Sequence, residues 1–365
     1  MTEVFLTIFF ISVLLFFLGT GIWVAISMIG VSAVGMILFT TRPVGDAMAT
    51  TIWGTSSSWT LTALPLFVWM GEILFRTKLS ENLFKGLSPW MQKLPGGLIH
   101  VNVVGCALFA AISGSSAATV ATVGKMSIPE LRKRKYPEKI LLGSLAGSGT
   151  LGLLIPPSII LIIYGVTVQE SIAKLFIAGI IPGIMIALIF MSYVIIWSLI
   201  NKSKMPKAQE TYPFFEKIKR SKQLLPVILL ILGVIGSIYS GVATATEAAS
   251  LGVVGALILS YFQKSLSIKN FKDSLLGATK TSCMIAFILA GSTFLSLAMG
   301  FTGLPRNLAI WIQNMDLSPY ILIFVLMIFY IILGMFLDGI SAVVLTMAII
   351  EPMIRQAGFD MIWFG

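Results

Sequence analysis

The amino-acid sequence predicts an all-α polytopic membrane protein. Of its 365 residues, 57% are hydrophobic and only 11% are charged, whereas roughly 25% are charged in soluble proteins. Most of the chain divides into apolar runs close to the length that spans a bilayer as a helix, about 17 to 25 residues. Residues that interrupt a helix stand in the middle of two neighbouring runs, and these interruptions mark the candidate site.

Positive charge is concentrated in a few loops. The formal net charge is +10, and 15 of the 25 Lys and Arg residues lie in segments 130–139, 201–222 and 263–273. Basic loops between membrane helices face the cytoplasm, and an even number of predicted crossings separates each pair of these loops. The basic balance therefore indicates a lipid bilayer as the partner and argues against nucleic acid.

The N-terminal third predicts three crossings, at residues 4–18, 21–39 and 61–75. The first has no basic flank and no small-residue cleavage site, so we interpret it as a retained helix and not a signal peptide. The polar segment 41–59 predicts no clear span. Residues 76–93 interleave basic and apolar side chains, which is typical of an amphipathic helix resting on lipid headgroups.

The first interruption lies in the apolar run 98–129, which Ser and Gly residues at positions 113–116 divide in its middle. One span would be too long and broken at its centre. A re-entrant hairpin fits better, with its tip at 113–116 and both ends on the cytoplasmic side. The alternative is one helix whose small residues form a tight packing face.

The second interruption lies in the next crossing, residues 140–164, which contains Gly149, Gly152, Pro156 and Pro157. Proline lacks an N–H and clashes with the preceding turn of a helix, so two adjacent prolines must disturb the helix there. A simple kink is one interpretation. An unwound segment that exposes carbonyl groups is the interpretation we favour, because non-helical backbone at membrane depth is tolerated where it lines a cavity.

The sequence shows no catalytic or metal-binding motif, and we expect no enzyme activity. Cys106 and Cys283 are not spaced for a metal or a redox pair, and we expect both to be buried and inert. His100 has no Glu or Cys arranged around it. No Ser/His/Asp arrangement, phosphate-binding glycine loop or paired carboxylates appear.

The chain also contains an internal repeat with an offset of 225 residues. The shift places the three predicted crossings on residues 229–243, 246–264 and 286–300. It also aligns identical residues: Leu79 with Leu304, Asn82 with Asn307, Leu83 with Leu308, Gly114 with Gly339, Ser116 with Ser341 and Ala117 with Ala342. The loop count gives the copies opposite orientations, so the second hairpin, residues 320–352, should open to the outside. Inverted repeats with paired broken elements are typical of secondary transporters.

The repeat predicts three parts. Residues 1–165 form the first repeat, 166–222 a connecting helix and a basic cytoplasmic loop, and 223–365 the second repeat. The counterpart of the break at 152–158 would fall beyond Gly365. We therefore expect a truncated chain whose second repeat lacks its final broken helix.

Four motifs in order resemble the large membrane subunit of tripartite ATP-independent periplasmic (TRAP) transporters. They are SGSSAATVATVG at 113–124, GLLIPPS at 152–158, ATATEAA at 243–249 and GMFLDGISA at 334–342. The resemblance implies an elevator-type, sodium-driven importer of the ion-transporter superfamily in the bacterial inner membrane. Its substrates would be organic acid anions such as C4-dicarboxylates or sialic acid. Its partners would be a periplasmic substrate-binding protein and a small four-helix membrane subunit.

Sodium, as coupling ion, is the only cofactor that the sequence suggests. Hard cations take oxygen ligands, which carbonyls at a break and hydroxyls at a tip can supply. The first sodium site would use Ser113, Gly114, Ser115, Ser116, Gly152 and Pro156. A second, incomplete site would use Asp338, Gly339 and Ser341. The carboxylate substrate would contact Ser116, Thr119, Thr122, Pro157 and Ser158, near the positive ends of half-helices.

Two rival functions remain open at this point. A sodium/anion symporter that needs no binding protein would use the same elements. A channel is less favoured, because no ring of pore-lining charges is visible.

Two acidic residues carry separate expectations: Asp338 is favoured as a site residue over a solvated turn, and Glu247 as a helix N-terminal acid.

Overall fold

The computed structural model describes residues 2–77, 79–206, 212–222, 224–305, 307, 310, 318–335 and 337–365. Within these residues the regular secondary structure is helical, with no strand. Leu308 of the predicted repeat and Phe336 of the fourth motif lie outside the described residues. The all-α prediction is confirmed.

The helices of the first half follow the predicted order. They are α1 (Thr2–Gly19), α2 (Val24–Phe39), α3 (Val44–Ser56), α4 (Ala63–Phe75), α5 (Leu79–Met91), α6 (His100–Ser113), α7 (Ser116–Lys133), α8 (Glu138–Gly149), α9 (Leu151–Leu154) and α10 (Ile159–Thr167). The polar segment 41–59, for which no span was predicted, contains the thirteen-residue helix α3.

The second half contains the longest helices. They are α11 (Ile172–Ile200), α12 (Phe214–Ser221), α13 (Leu225–Tyr239), α14 (Ala245–Phe262), α15 (Ile268–Thr302), α16 (Pro319–Gly334), α17 (Gly339–Gln356) and α18 (Met361–Phe364). The helix order of this half matches the predicted repeat. Shifted by 225 residues, α1, α2, α6 and α7 overlap α13, α14, α16 and α17, while α3 and α4 together overlap α15. The inverted orientation stays a prediction.

The helices present apolar surface outward, as membrane helices do. Among the described residues, four helices are long and apolar enough to cross a membrane, and up to seven spans result if each bent helix pair is one span. Only 22% of the most apolar stretch of α11 is buried, and Ile181 and Ile200 are each more than three-quarters exposed. A helix that is apolar all round suits a lipid environment, so the chain is a polytopic membrane protein.

The chain forms two compact units that interleave along the sequence. The first unit comprises residues 1–61, 163–171 and 282–365, and the second comprises residues 62–162 and 172–281. The boundaries predicted at residues 165 and 222 follow the sequence repeat, whereas the two compact units are defined by contacts within the structure. That division therefore stays a prediction.

The N-terminus of α14 shows how the sequence sets a helix boundary. The Glu247 carboxylate accepts a hydrogen bond from the Thr244 N–H at 2.8 Å, and the Thr244 hydroxyl accepts from the Glu247 N–H at 3.4 Å. This reciprocal capping box satisfies two backbone donors that would otherwise lack partners. Glu247 is therefore a helix N-terminal acid, as predicted.

The amphipathic helix α5 forms where it was predicted, but its surroundings differ from the prediction. Leu83, Phe84 and Leu87 are buried in protein and do not rest on lipid. The basic helix α12 packs on α5, and the Trp90 indole N–H donates to the Ser221 hydroxyl at 2.7 Å. Protein and lipid offer an apolar helix face the same solvation, so the sequence pattern could not distinguish them.

The two cysteines differ in environment. Cys106 is buried on α6, as predicted, but Cys283 is exposed on α15, so the expectation that both are buried was wrong. Cys283 lies on an outward face of a long apolar helix, where an apolar sequence pattern does not reveal which side meets protein.

We expect Thr244→Ala to lower the stability of the protein, because it removes the side-chain acceptor at the start of α14. The loss of an N-cap costs about 1 kcal/mol. Thr246→Ala, the same change two residues inside the helix, serves as the control. The thermal unfolding midpoint of the purified protein in detergent checks this, and equal midpoints for the two variants would contradict the capping role.

Candidate ion and substrate site

The predicted tip at 113–116 is a two-residue turn between packed helices. Helix α6 ends at Ser113, and Gly114 adopts a left-handed conformation with φ +58°, its N–H donating to the Ala110 carbonyl at 3.0 Å. Ser115 is extended and caps α7, which begins at Ser116. A left-handed residue after a helix is most often glycine, because it has no Cβ. The chain therefore forms a helical hairpin at the predicted place.

Hydroxyl groups close a hydrogen-bonded ring at the tip. The Ser115 N–H donates to the Ser113 hydroxyl at 3.4 Å, and that hydroxyl lies 2.9 Å from the Thr119 hydroxyl. Thr119 in turn donates to the Ser115 carbonyl at 2.7 Å. Ser113 and Thr119 are both buried. The ring holds the tip in shape without a charged group, and a bound cation would draw its oxygen ligands from this ring.

One further tip residue has an unused polar atom. Thr122, one turn after Thr119 on α7, is buried, and its hydroxyl has no hydrogen-bond partner among the described residues. Buried polar atoms are normally paired. This hydroxyl is therefore available to a ligand, and the substrate contact predicted for Thr122 stays a prediction.

The predicted interruption of the next crossing is also present. Helix α8 ends at Gly149 and the single turn α9 ends at Leu154. Ile155 is extended, and the chain resumes helical structure only at Ile159. The peptide between Pro156 and Pro157 in this break is cis. The crossing is therefore a broken helix and not a simple kink.

The two prolines release two carbonyl groups. Pro156 has no N–H for the carbonyl of Gly152, and Pro157 has none for the carbonyl of Leu153. The Ser158 hydroxyl replaces the second of these donors, because it donates to the Leu153 carbonyl at 2.5 Å. Ser158 is buried and committed to this bond. The Gly152 carbonyl is one of the groups that the break leaves for another partner.

The tip and the break are in direct backbone contact. The Ile159 N–H donates to the Gly114 carbonyl at 3.3 Å. A Cβ on Gly114 would lie 2.8 Å from the Pro157 carbonyl oxygen, and a Cβ on Gly152 would lie 2.9 Å from the Ser115 carbonyl oxygen. Both glycines are therefore required for the close approach. Gly114 thus meets Pro157 and Ile159, and Gly152 meets Ser115 and Ser116, whereas Pro156 lies beside Gly179 of α11.

Two glycines that the sequence interpretation did not single out support the break from α11. A Cβ on Gly179 would lie 3.0 Å from the Leu154 carbonyl oxygen, and one on Gly183 would lie 2.8 Å from the Ile155 side chain. Their spacing is the small-xxx-small pattern by which membrane helices approach closely. That pattern was the signal that could have identified them.

The predicted second set lies in the other compact unit. Asp338 is exposed and caps α17, its carboxylate accepting from the Ser341 N–H at 3.3 Å. Gly339 begins the helix, and Ser341 is buried. In the repeat alignment Asp338 corresponds to Ser113, which ends α6, and Ser341 corresponds to Ser116, which begins α7. Helix α17 begins at Gly339, two residues earlier in the alignment than α7. The two tips are therefore built differently.

The donor set at the first tip suits a hard monovalent cation. Carbonyl and hydroxyl oxygens are the ligands that hard cations take. Among the residues that the structure describes, no group of three or more His, Cys, Asp or Glu could hold a metal ion. A cation bound at the tip would thus be held by neutral oxygens.

Comparison with known proteins identifies relatives along nearly the whole chain. Residues 11–365 match the family described as "Tripartite ATP-independent periplasmic transporter, DctM component". The C4-dicarboxylate TRAP transporter large permease protein DctM of Pseudomonas aeruginosa is 32% identical over 334 residues, which cover 91% of this chain and 77% of the relative.

Two other relatives carry different substrate names. The sialic acid TRAP transporter large permease protein SiaM of Vibrio cholerae is 30% identical, covering 95% of this chain and 81% of the relative. The 2,3-diketo-L-gulonate TRAP transporter large permease protein YiaN of Escherichia coli is 31% identical, covering 87% and 74%.

We expect Gly152→Ala to destabilise the protein, because the new methyl group would press on the backbone of Ser115 and Ser116. Overpacking of this kind costs about 1–3 kcal/mol. Gly143→Ala on α8, where a Cβ meets nothing within 4 Å, is the matched control and should be neutral or stabilising. The thermal unfolding midpoints measure both. Equal midpoints would show that tip and break are not in contact.

Proposed function

The chain belongs to the DctM component family of tripartite ATP-independent periplasmic transporters, and it is thus a non-enzymatic, multi-pass importer subunit of the bacterial inner membrane. We propose that it couples uptake of an organic acid anion to sodium. The observation that carries this proposal is the contact between the hairpin tip and the broken helix. It gathers neutral oxygen ligands beside helix N-termini in one unit of the protein.

The sodium ion would lie between the tip and the break. Its ligands would come from the hydroxyls and carbonyls of Ser113, Gly114, Ser115 and Ser116 and from the backbone around Gly152 and Pro156. The Gly152 carbonyl is the strongest candidate, since Pro156 cannot donate to it. Asp338, Gly339 and Ser341 would contribute to a second site by the predicted repeat.

The substrate carboxylate would lie at the start of α7. The N–H of Ala118 donates to the Ser115 hydroxyl and that of Thr119 to the Ser115 carbonyl. The amides of Ser116 and Ala117 have no acceptor among the described residues. A helix N-terminus with free amides favours an anion, and the unpaired Thr122 hydroxyl lies on the same helix. Pro157 and Ser158 would border the anion.

The relatives' names and this geometry support a proposal for the substrate class. C4-dicarboxylates, sialic acid and 2,3-diketo-L-gulonate all carry a carboxylate. We propose the same class for this chain. The substrate would be delivered by a periplasmic binding protein, and a small four-helix membrane subunit would complete the transporter.

Transport would follow an elevator mechanism. The two repeats would have opposite orientations, and the first hairpin and the broken helix would carry ion and anion across the membrane together. Sodium binding would favour substrate binding because the ion neutralises carbonyl dipoles beside the anion, and two ligands coupled in this way raise each other's affinity equally.

Uptake by proteoliposomes tests the coupling. Vesicles would contain the chain and its small membrane subunit, with the binding protein and its radiolabelled ligand added outside. We expect uptake with an inward sodium gradient and little with an equal potassium gradient. Equal uptake in both would refute sodium coupling, and equal uptake without the binding protein would favour the independent symporter.

A proline substitution tests the proposed ion ligand. Pro156→Ala supplies an N–H, and a helical Ile155 would bring that N–H to the Gly152 carbonyl, where it competes with the ion. A net hydrogen bond of about 1 kcal/mol predicts a sodium affinity lower by roughly fivefold to tenfold. The concentration of sodium that gives half-maximal thermal stabilisation measures this affinity.

Two further variants sharpen that test. Pro226→Ala, near the start of α13, removes a proline away from the tip and should leave the sodium response unchanged. Ser116→Leu should abolish the response while the protein remains folded. A wild-type sodium response in both Pro156→Ala and Ser116→Leu would exclude an ion site at this tip.

A further inference from the structure

A second polar feature lies apart from the hairpin tip, in the unit that contains residues 62–162 and 172–281. It is a cavity of about 410 Å³ enclosed by α5, the C-terminal half of α7 and the α12 segment. We call it the basic cavity. Its polar lining includes Lys85, Gln92, Lys125, Glu130, Arg134 and Arg220. It adjoins the loops that the positive-inside rule assigns to the cytoplasm.

The basic cavity has surplus positive charge. Glu130 is the one carboxylate in its described lining, and it pairs with Arg134 at 2.8 Å. Arg220 pairs with Glu216 at 2.9 Å. Lys125 is exposed and has no ion pair among the described residues. Two arginine charges are therefore compensated, and of the two lysines in the lining Lys125 is the one whose charge is available to an anion.

Aromatic side chains lie on α12 and just before it, next to these basic residues. Phe215 is 86% exposed and Phe214 is 62% exposed, although both follow a polar loop. The Arg220 guanidinium lies over the Tyr212 ring, 4.0 Å from its centroid. Exposed aromatic side chains beside Lys and Arg on an amphipathic helix are typical of the headgroup region of a membrane.

The cavity also contains an unsatisfied acceptor. The side-chain oxygen of Gln92 is buried and has no hydrogen-bond partner among the described residues. A ligand with a hydroxyl donor would satisfy it. The phosphodiester of a lipid headgroup has no O–H, so the donor would come from a hydroxyl elsewhere in the headgroup.

We propose that the basic cavity binds the headgroup of an anionic glycerophospholipid from the cytoplasmic leaflet. The phosphate contacts Lys125 with support from the arginines, and a headgroup hydroxyl donates to Gln92. The acyl chains remain in the bilayer beside α12. Basic pockets on the cytoplasmic side of membrane proteins bind anionic headgroups in this way. Inorganic phosphate shares the charge but lacks both the glycerol and the chains.

The thermal unfolding of the full chain in detergent distinguishes the sources of the anion. We would add phosphatidylglycerol, phosphatidylcholine or inorganic phosphate in separate titrations. We expect a rise of the unfolding midpoint with phosphatidylglycerol alone. A rise of equal size with phosphatidylcholine, or with phosphate at the same concentration, would overturn the proposal.

Charge variants locate the lipid. Lys125→Gln should weaken the phosphatidylglycerol affinity about fivefold, the effect of one basic residue near an anionic surface. Lys139→Gln removes one exposed lysine at the start of α8, outside the cavity, and is the matched control. Lys125→Arg should retain the affinity. Equal affinities for Lys125→Gln and Lys139→Gln would overturn the assignment, and the midpoints without lipid show whether each variant is folded.

Discussion

The backbone contact between Gly114 and the break at Pro157 to Ile159 is the interaction on which the site depends. The chain leaves helical geometry twice at neighbouring places, and each departure exposes amides and carbonyls that an apolar environment penalises. The Ile159 N–H and the Gly114 carbonyl satisfy each other. Glycine at 114 and 152 lets the backbones approach, because any Cβ would meet a carbonyl oxygen below 3 Å.

This contact explains how a chain with few acidic residues can present a polar site. The ring of Ser113, Ser115 and Thr119 supplies hydroxyl and carbonyl oxygens, and the prolines free the Gly152 carbonyl. No carboxylate has to be desolvated, which would be costly at membrane depth. The second tip lacks this arrangement, since Asp338 is exposed and its carboxylate caps a helix. Similar sequence motifs at the two tips therefore have different local structures.

Charge has two roles in the segments that are predicted to be cytoplasmic. Basic residues between the crossings predict the orientation of the chain, and some of them, Arg134 and Arg220, are paired with nearby carboxylates. Each of these pairs connects residues four apart in one helical segment, whereas the contact of Trp90 with Ser221 joins α5 to α12 beside the basic cavity. Residues of the segments predicted to be cytoplasmic thus build a surface that suits an anionic lipid.

Local chemistry determined much of this protein from the sequence alone. Apolar runs predicted the helices. Ser and Gly at 113–116 predicted the tip, Pro156 and Pro157 predicted the break, and Glu247 predicted the start of α14, because turn and capping preferences act over a few residues. Only the tertiary structure decided which faces meet protein. The burial of Leu83 and Leu87 and the exposure of Cys283 were not readable in advance, and the spacing of Gly179 and Gly183 indicated a close contact without naming the break as its partner. Lipid tails are as apolar as a protein interior, so in a membrane the hydrophobic pattern does not reveal which neighbour a helix face will have.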